Sequence, residues 1–176
     1  SSLLLLEGMI AKIGKYADTE TYLLEVKKQM LTMREIISEI LEVNQTMISV
    51  EHYTTVNINE IIGQIIIQNA VQIETKNLSI ENHLPELTIQ TDPKFFYKII
   101  DNILVNAITY TPENQSIVLK AIPNGIILTN YGVTINEDLL PKIFQPFVRV
   151  TSTIKGHGLG LYIVANYAKQ LDITID

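Results

Sequence analysis

Two asparagines one helical turn apart, Asn102 and Asn106, are the first residues whose types and spacing suggest chemistry. An interval of four residues places both side chains on one face of a helix. Their amide oxygens are hard, neutral ligands that suit Mg²⁺ already carrying phosphate oxygens, and their NH₂ groups can donate to those phosphates. Because asparagine is a poor helix former, the pair lowers the stability of the helix, and a binding role would explain why it is present. The alternative is a solvated polar face.

A second pattern, the run at residues 155–164, has three alternating glycines that lead directly into an apolar helix. These glycines are Gly156, Gly158 and Gly160. Free backbone N–H groups at a helix start attract anions, and positions without side chains let phosphates approach the main chain. Leu161 stands where the dinucleotide-binding fingerprint needs glycine, and no GxxxxGK[ST] occurs, so Rossmann and P-loop sites are excluded.

The segment between these two patterns holds further candidates. Asn130 follows an apolar strand and can accept a hydrogen bond from a purine amine, while Gly132 lets a base approach the backbone. Arg149 begins a stretch rich in Thr and Ser, where a permanently charged planar donor suits a terminal phosphate. The simpler interpretations are a turn and a surface arginine. We expect Phe144 and Phe147 to anchor this loop on the core.

Composition and charge narrow the class of protein. With 176 residues, 47% of them hydrophobic, the chain can bury a substantial core. Thirteen basic against nineteen acidic residues give a net charge of −6, which argues against nucleic acid and an anionic membrane surface as partners. The lack of cysteine excludes disulfides, thiolate metal sites and a cysteine nucleophile. No apolar run approaches the roughly 20 residues of a membrane-spanning helix.

A regular heptad precedes the candidate site, in the first quarter of the chain. Its apolar positions alternate at intervals of three and four residues, and Asn44 continues them: Leu23, Val26, Met30, Met33, Ile37, Ile40, Asn44 and Met47. This spacing is typical of a helix in a left-handed bundle. Together with a helical pattern at residues 3–13, it predicts a hairpin over residues 1–48 that forms a homodimer through residues 3–48. The alternative is a hairpin packed against its own globular domain.

The rest of the chain predicts an α+β sandwich, with helices on one face of a mixed sheet, over residues 56–176 after a linker at residues 49–55. The expected helices cover residues 58–73, 93–109, 137–144 and 159–171, with Asp92 as a helix cap and Pro93 at the first helical position. The expected strands cover residues 79–82, 88–90, 116–121, 126–129 and 173–176. A turn at Pro123-Asn124-Gly125 joins two of these strands.

Taken in order, these patterns resemble the N, G1, F and G2 boxes of the sensor histidine kinases of two-component systems. The four boxes correspond to residues 102–106, 130–132, 144–147 and 156–160. Residues 1–48 resemble the dimerisation and phosphotransfer hairpin, and residues 56–176 the ATP-binding catalytic domain of the Bergerat type. The glycine run and Asn130 are similar to the vancomycin-response, VanS-like subgroup. The chain then looks like an excised, C-terminally truncated piece of a cytoplasmic kinase portion, attached to membrane only through parts of the parent outside it.

The resemblance implies a role for each matching residue. Asn102 and Asn106 would hold Mg²⁺ and phosphate, with Asn106 and Arg149 as the catalytic pair, and Tyr110 would stack near the adenine. Asn130 would read the adenine beside Gly132. The remaining ATP contacts would come from the glycine-rich segment: Lys155, Gly156, His157, Gly158, Leu159 and Gly160. The reaction implied is transfer of the γ-phosphoryl group of ATP to a histidine, then to an aspartate of a response-regulator receiver domain.

Several positions depart from the family pattern. No histidine followed by an acidic residue and Thr-Pro occurs, so we expect no autophosphorylation by this chain alone. Thr109, Asn130 and Thr134 replace a basic residue, an aspartate and a glycine, which would weaken nucleotide binding. One alternative is therefore a degenerate kinase that serves as a dimeric scaffold without binding ATP. Another is a related family that phosphorylates serine or drives ATP-dependent conformational change, against which the heptad argues.

Overall fold

The computed structural model of the chain describes residues 19–45, 52–132, 134–150 and 157–175. The chain divides into two compact units, with the boundary between Gln45 and Thr46. In the first unit the described residues form one helix, α1 (Thr19–Gln45), which contains the heptad as far as Asn44. The first helix of the expected hairpin, at residues 3–13, and Met47 lie outside the described residues.

Helix α1 keeps large apolar side chains at its surface. Leu23, Met30 and Ile37, which recur every seven residues, are 59%, 64% and 53% exposed. Leu24, Leu31 and Leu41 are also exposed. The heptad residues therefore form an exposed apolar seam along one side of the helix.

Among its described residues, the second unit combines four α-helices with five strands in two sheets. Its helices are α2 (Ile58–Gln68), α3 (Ala70–Thr75), α4 (Pro93–Tyr110) and α5 (Gly160–Gln170). Its strands are β1 (Thr54–Asn57), β2 (Ser79–His83), β3 (Thr88–Thr91), β4 (Ser116–Ile122) and β5 (Gly125–Asn130). Strands β1 and β3 form an antiparallel pair, while β2 runs parallel to β4 and β4 antiparallel to β5. The α+β class predicted from the sequence is confirmed.

Helix α4 is the central element of the core. Asp92 caps its first turn by accepting hydrogen bonds from the N–H groups of Lys94 and Phe95, and Pro93 occupies the first helical position, as the sequence predicts. The buried stripe of α4 comprises Phe95, Phe96, Ile99, Ile100, Leu104, Ala107 and Ile108. The Phe95 ring packs against Tyr167 of α5, with ring centroids 4.9 Å apart.

Three sequence predictions about helices and strands are wrong in their extent. The helix expected at residues 58–73 is broken at Asn69, whose Nδ2 donates to the Ile65 carbonyl at 2.8 Å. The helix expected at residues 137–144 is only a 3₁₀ turn, Leu140–Lys142. No strand is found at the described residues 173–175, because the Ile173 N–H turns back to the Ala168 carbonyl and closes the end of α5.

Two further boundaries differ from expectation. Strand β1 begins at Thr54, inside the stretch interpreted as a linker, and pairs there with Thr91. Phe147 is not a buried anchor, since its side chain is 57% exposed and its backbone has a positive φ of 67°. Phe144, by contrast, is half-buried. The loop is therefore held to the fold differently from what its aromatic residues predict.

Candidate functional site

One polar stripe on α4 carries three of the predicted site residues. Asn102, Asn106 and Tyr110 follow one another at intervals of four residues, so they lie on the same side of the helix. All three are half-buried, at the margin of the apolar stripe. The sequence prediction that both asparagines share a face is confirmed.

The start of α5 lies directly against the two asparagines. A Cβ atom placed on Gly160 would be 3.0 Å from Asn102 Oδ1 and 3.5 Å from Asn106 Nδ2. Residues almost sixty positions apart in the sequence therefore meet at a contact that only glycine fits without displacement of a neighbour. The two asparagines and the last glycine of the glycine run therefore lie next to each other.

The amide of Asn102 is oriented by its own helix. Its Nδ2 donates to the Lys98 carbonyl at 2.8 Å, so its Oδ1 is the atom that faces Gly160. Leu159, the residue before α5, is 2% exposed and provides no side-chain cap. The first N–H groups of α5 consequently open beside an amide oxygen, an arrangement that offers donors to a phosphate and an oxygen ligand to a cation bound to that phosphate.

The other end of the polar stripe meets the end of β5. A Cβ atom on Gly132 would lie 3.1 Å from Asn130 Nδ2 and 3.2 Å from the Tyr110 carbonyl oxygen. The Asn130 side chain is half-buried, and its Nδ2 donates to the Tyr131 carbonyl at 3.4 Å. The structure thus brings Tyr110, Asn130 and Gly132 together, two helical turns along α4 from Asn102.

Gly158 lies at the base of the loop that precedes α5. Its φ of +71° suits glycine, and a Cβ atom there would be 2.7 Å from the Val148 carbonyl oxygen. The Phe147 N–H donates to the Gly158 carbonyl at 2.8 Å. The backbone of residues 147–148 is therefore held directly against Gly158.

The remaining predicted site residues lie along this loop. Arg149 is exposed and follows Val148 at the contact with Gly158, and His157 is exposed on the other side of it. The Leu159 side chain is buried, so a contact with a ligand would use its backbone. Lys155 and Gly156 lie outside the described residues.

The donor set of the site fits a magnesium nucleotide. The described residues contain no group of three or more His, Cys, Asp or Glu side chains that could hold a metal ion. A cation at the asparagines would therefore be bound by neutral amide oxygens together with anionic oxygens of a ligand. Mg²⁺ binds in this way, with few protein ligands and with phosphate oxygens in its shell.

Two polar residues that the sequence analysis missed hold the C-terminal end of α4. Lys76 Nζ donates to the Ile108 and Thr109 carbonyls at 2.8 and 2.9 Å. Burial lowers the pKa of its ammonium group, while the negative charge of Glu113 acts in the opposite direction and raises it. The buried Thr111 donates from its N–H and its Oγ1 to the Ala107 carbonyl. The sequence feature that could have indicated these contacts is the lack of a basic residue in the last turn of α4, because its terminal carbonyls then need partners from elsewhere.

Comparisons with known proteins agree with this geometry. Residues 91–176 match the family described as histidine kinase-, DNA gyrase B-, and HSP90-like ATPases. The sensor protein VanSB of Enterococcus faecalis is 32% identical over 172 residues, which cover 91% of this chain and 38% of VanSB. The sensor protein VanSC of Enterococcus gallinarum is 30% identical over 153 residues, which cover 82% of this chain and 42% of VanSC. The chain belongs to the sensor histidine kinase family.

Solved structures support the same assignment. The catalytic domain of the histidine kinase ThkA, in a nucleotide-free form, is 27% identical, with a TM-score of 0.56 over 68% of this chain and 81% of that one. A complex of ThkA with the response regulator TrrA matches with 25% identity and a TM-score of 0.60, over 84% of this chain and 46% of the ThkA chain. The fold of this histidine kinase chain is thus that of an ATPase-type catalytic domain preceded by a helix.

The matched sensor proteins are longer than this chain. The chain spans less than half the length of VanSB and of VanSC. The family match includes Thr109, Asn130 and Thr134, the positions that suggested a degenerate scaffold, and the scaffold alternative is not favoured. Among the described residues, no helix combines the length and apolar character needed to cross a bilayer.

Proposed function

We propose that this chain is the cytoplasmic kinase portion of a two-component sensor, which binds Mg²⁺-ATP and passes its γ-phosphoryl group to a histidine. The observation that carries this proposal is the packing of Gly160 against both Asn102 and Asn106: a Cβ atom on Gly160 would lie 3.0 Å from Asn102 Oδ1 and 3.5 Å from Asn106 Nδ2. It places the N–H groups of a helix start and two amide side chains at one point, which is the combination that phosphate with a divalent cation requires.

The polar stripe of α4 then orders the nucleotide along the helix. The phosphates lie at Asn102 and Asn106, beside the start of α5, and the adenine lies at Tyr110, beside Asn130 and Gly132. Asn130 Oδ1 accepts a hydrogen bond from the adenine amine, because Nδ2 of the same amide is turned to the Tyr131 carbonyl. A neutral acceptor makes a weaker bond than a carboxylate, so this contact contributes less affinity than an aspartate would.

The chain's own residues contribute mainly position and charge. Bound Mg²⁺ would be held by Asn102 and Asn106 and would neutralise phosphate charge. Arg149 approaches the γ-phosphate from the loop whose base is fixed at Gly158. Lys155 is proposed as a second cationic contact to this phosphate. Phosphoryl transfer depends largely on such positioning and on electrostatic stabilisation of the three equatorial oxygens.

Two partners follow from the proposed activity. The apolar seam of α1, with Leu23, Met30 and Ile37 exposed, supports homodimerisation through residues 3–48. A response-regulator receiver domain is the final phosphoryl acceptor, a proposal supported by the complex of ThkA with its response regulator. A membrane attachment belongs to parts of the parent outside this chain.

Transfer of radiolabel tests the proposed function. The chain is mixed with Mg²⁺, γ-labelled ATP and a separately supplied dimerisation hairpin that carries the acceptor histidine. We expect acid-labile label on the hairpin, and label on a receiver domain when one is added. Asn124→Asp, at an exposed position in the β4–β5 turn, serves as a control that retains activity. Failure to label the hairpin while the chain remains folded would contradict the proposal.

A further inference from the structure

The C-terminal end of α4 is held by side chains from outside its own last turn. A helix leaves its final carbonyl groups without partners inside the helix, and a cation near that end is favourable. Helix α5 has Lys169 in its last turn, whereas α4 has no basic residue there. The cation at the end of α4 is Lys76, which precedes the bonded carbonyls by 32 and 33 positions.

The bonds at this helix end form a continuous set. The Ala107 carbonyl accepts from Thr111, and the Ile108 and Thr109 carbonyls accept from Lys76. The next residue is Tyr110, whose carbonyl lies against Gly132. The four carbonyl groups from Ala107 to Tyr110 are thus each hydrogen-bonded or in close contact.

Lys76 is itself fixed in place. Its carbonyl accepts a hydrogen bond from the Asn114 N–H at 2.9 Å, and Asn77 Nδ2 donates to Asn114 Oδ1 at 2.8 Å. The Ser79 N–H donates to the Gln115 carbonyl at 3.0 Å. Since the ammonium group and its own backbone are both tied to the stretch from Ile108 to Gln115, Lys76 acts as a rigid brace.

We propose that Lys76 is a positioning residue of the nucleotide site, which fixes Tyr110 for contact with the adenine by holding the Ile108 and Thr109 carbonyls. The inference rests on the proposed function, because it assumes that the adenine lies at Tyr110. Lys76 acts indirectly, through its hydrogen bonds to the backbone carbonyls at the end of α4. Its effect therefore falls on the adenine rather than on the phosphates.

Nucleotide affinities of Lys76 variants test this role. Adenosine binding is measured by NMR titration and binding of a non-hydrolysable ATP analogue by calorimetry. Lys76→Met removes the donors at similar length, and we expect about 3- to 10-fold weaker binding of both ligands by the same factor. Lys76→Arg, which keeps a cation and donors, should restore most of the affinity. Lys120→Met, at an exposed position on β4, should bind as the wild type does.

A double-mutant cycle separates positioning from general stability. In a Tyr110→Ala background, Lys76→Met should weaken adenosine binding by less than about 2-fold, because the group it positions is gone. The same loss in both backgrounds would overturn the proposal. A larger loss for the ATP analogue than for adenosine would also overturn it, since that pattern belongs to a phosphate contact.

Folding and the proposed function are controlled in the same series. Circular dichroism checks that each variant is folded, and if Lys76→Met is not, Thr111→Val perturbs the same helix end and must weaken adenosine binding for the proposal to stand. If the wild type binds the analogue normally and both variants match it, the Lys76 inference fails alone. If the folded wild type binds neither ligand, the proposed function fails and this inference with it.

Discussion

The two sides of the candidate site are built in different ways. Helix α4 is capped at its start by Asp92, braced at its end by Lys76 and Thr111, and packed along a continuous buried stripe. The described residues 134–150 contain only a 3₁₀ turn as regular structure, and most of their side chains are exposed. The α4 side presents ligand groups from a rigid element, while the loop side depends on a backbone contact at Gly158.

This difference suggests that the two sides of the site have different roles. Groups on a braced helix are already ordered before a ligand arrives, so they lose little entropy on binding and can contribute directly to affinity. A loop held at its base can bring a charged group to the ligand at a greater ordering cost. We therefore expect α4 to determine nucleotide affinity, and the loop with Arg149 to affect transfer more than affinity.

The largest effect is expected at Asn106. Asn106→Asp adds a negative charge beside the phosphates and removes an NH₂ donor at nearly constant shape. We expect phosphoryl transfer to a supplied hairpin to fall about 100-fold or more. Radiolabel transfer measures this, with Asn124→Asp as the control. An unchanged transfer rate would remove Asn106 from the catalytic machinery and would weaken the contrast between helix and loop.

The next effect tests the contact between α4 and α5. Gly160→Ala places a Cβ atom 3.0 Å from Asn102 Oδ1, so the amide must move or α5 must shift. We expect about 10-fold weaker binding of a non-hydrolysable ATP analogue by calorimetry, equal to roughly 1.4 kcal/mol. Gly63→Ala is the matched control, because it is also helical and has no atom within 4 Å of the added Cβ. Equal affinities of the two variants would contradict the site.

A smaller effect is expected where β5 meets the adenine. Asn130→Ala removes the proposed acceptor for the adenine amine, and we expect about 5-fold weaker ATP binding, as for loss of one neutral hydrogen bond. Guanine presents a carbonyl at that position, so the wild type should prefer ATP to GTP and the variant should lose this preference. Competition titrations with the two nucleotides measure both values. Equal affinity of the wild type for ATP and GTP would count against Asn130 as the residue that recognises adenine.

The loop side is tested at its base. Gly158→Ala forces alanine into a φ of +71° and against the Val148 carbonyl, a strain of about 1–2 kcal/mol. We expect a several-fold slower transfer, with affinity for the ATP analogue changed by less than about 2-fold. If affinity falls as much as in Gly160→Ala, the loop contributes to binding as strongly as α4, and the proposed contrast between helix and loop is wrong.

The smallest effect concerns the stability of α4. Burial raises the pKa of the Asp101 carboxyl above its usual 3.8, with Lys98 opposing the shift. The ionised form is therefore disfavoured in the folded state, and stability falls as pH rises from about 3.8 through the raised pKa. Asp101→Asn should raise Tm slightly at pH 7 but not below pH 3.8. The exposed Asp138→Asn is the control, and an equal gain at both pH values would contradict this assignment.

Periodicity and local signals predict α4 and its surroundings well. The Asp92-Pro93 start, the shared face of Asn102 and Asn106, and the turn between β4 and β5 depend on neighbours in sequence, so they are readable from the chain alone.

Features that depend on distant contacts were not predictable. The break at Asn69 and the closing bond from Ile173 to Ala168 involve backbone groups that periodicity does not reveal. The brace from Lys76 joins positions more than thirty residues apart, and Phe147 is exposed at a residue with a positive φ of 67°. Candidate site residues could be selected because their types and spacing suggest chemistry, whereas Lys76 and Thr111 are ordinary in type and give no such signal.

Calorimetric titration of the chain with a non-hydrolysable ATP analogue, with and without Mg²⁺, tests the central claim most directly. We expect saturable binding of one nucleotide that strengthens with Mg²⁺ in the wild type, because the cation joins the amide oxygens of Asn102 and Asn106 to the phosphates. In Asn106→Asp the increase in nucleotide affinity on adding Mg²⁺ should differ from that of the wild type, while circular dichroism shows the same fold. No binding up to millimolar ligand by the folded wild type would contradict a nucleotide site between α4 and α5.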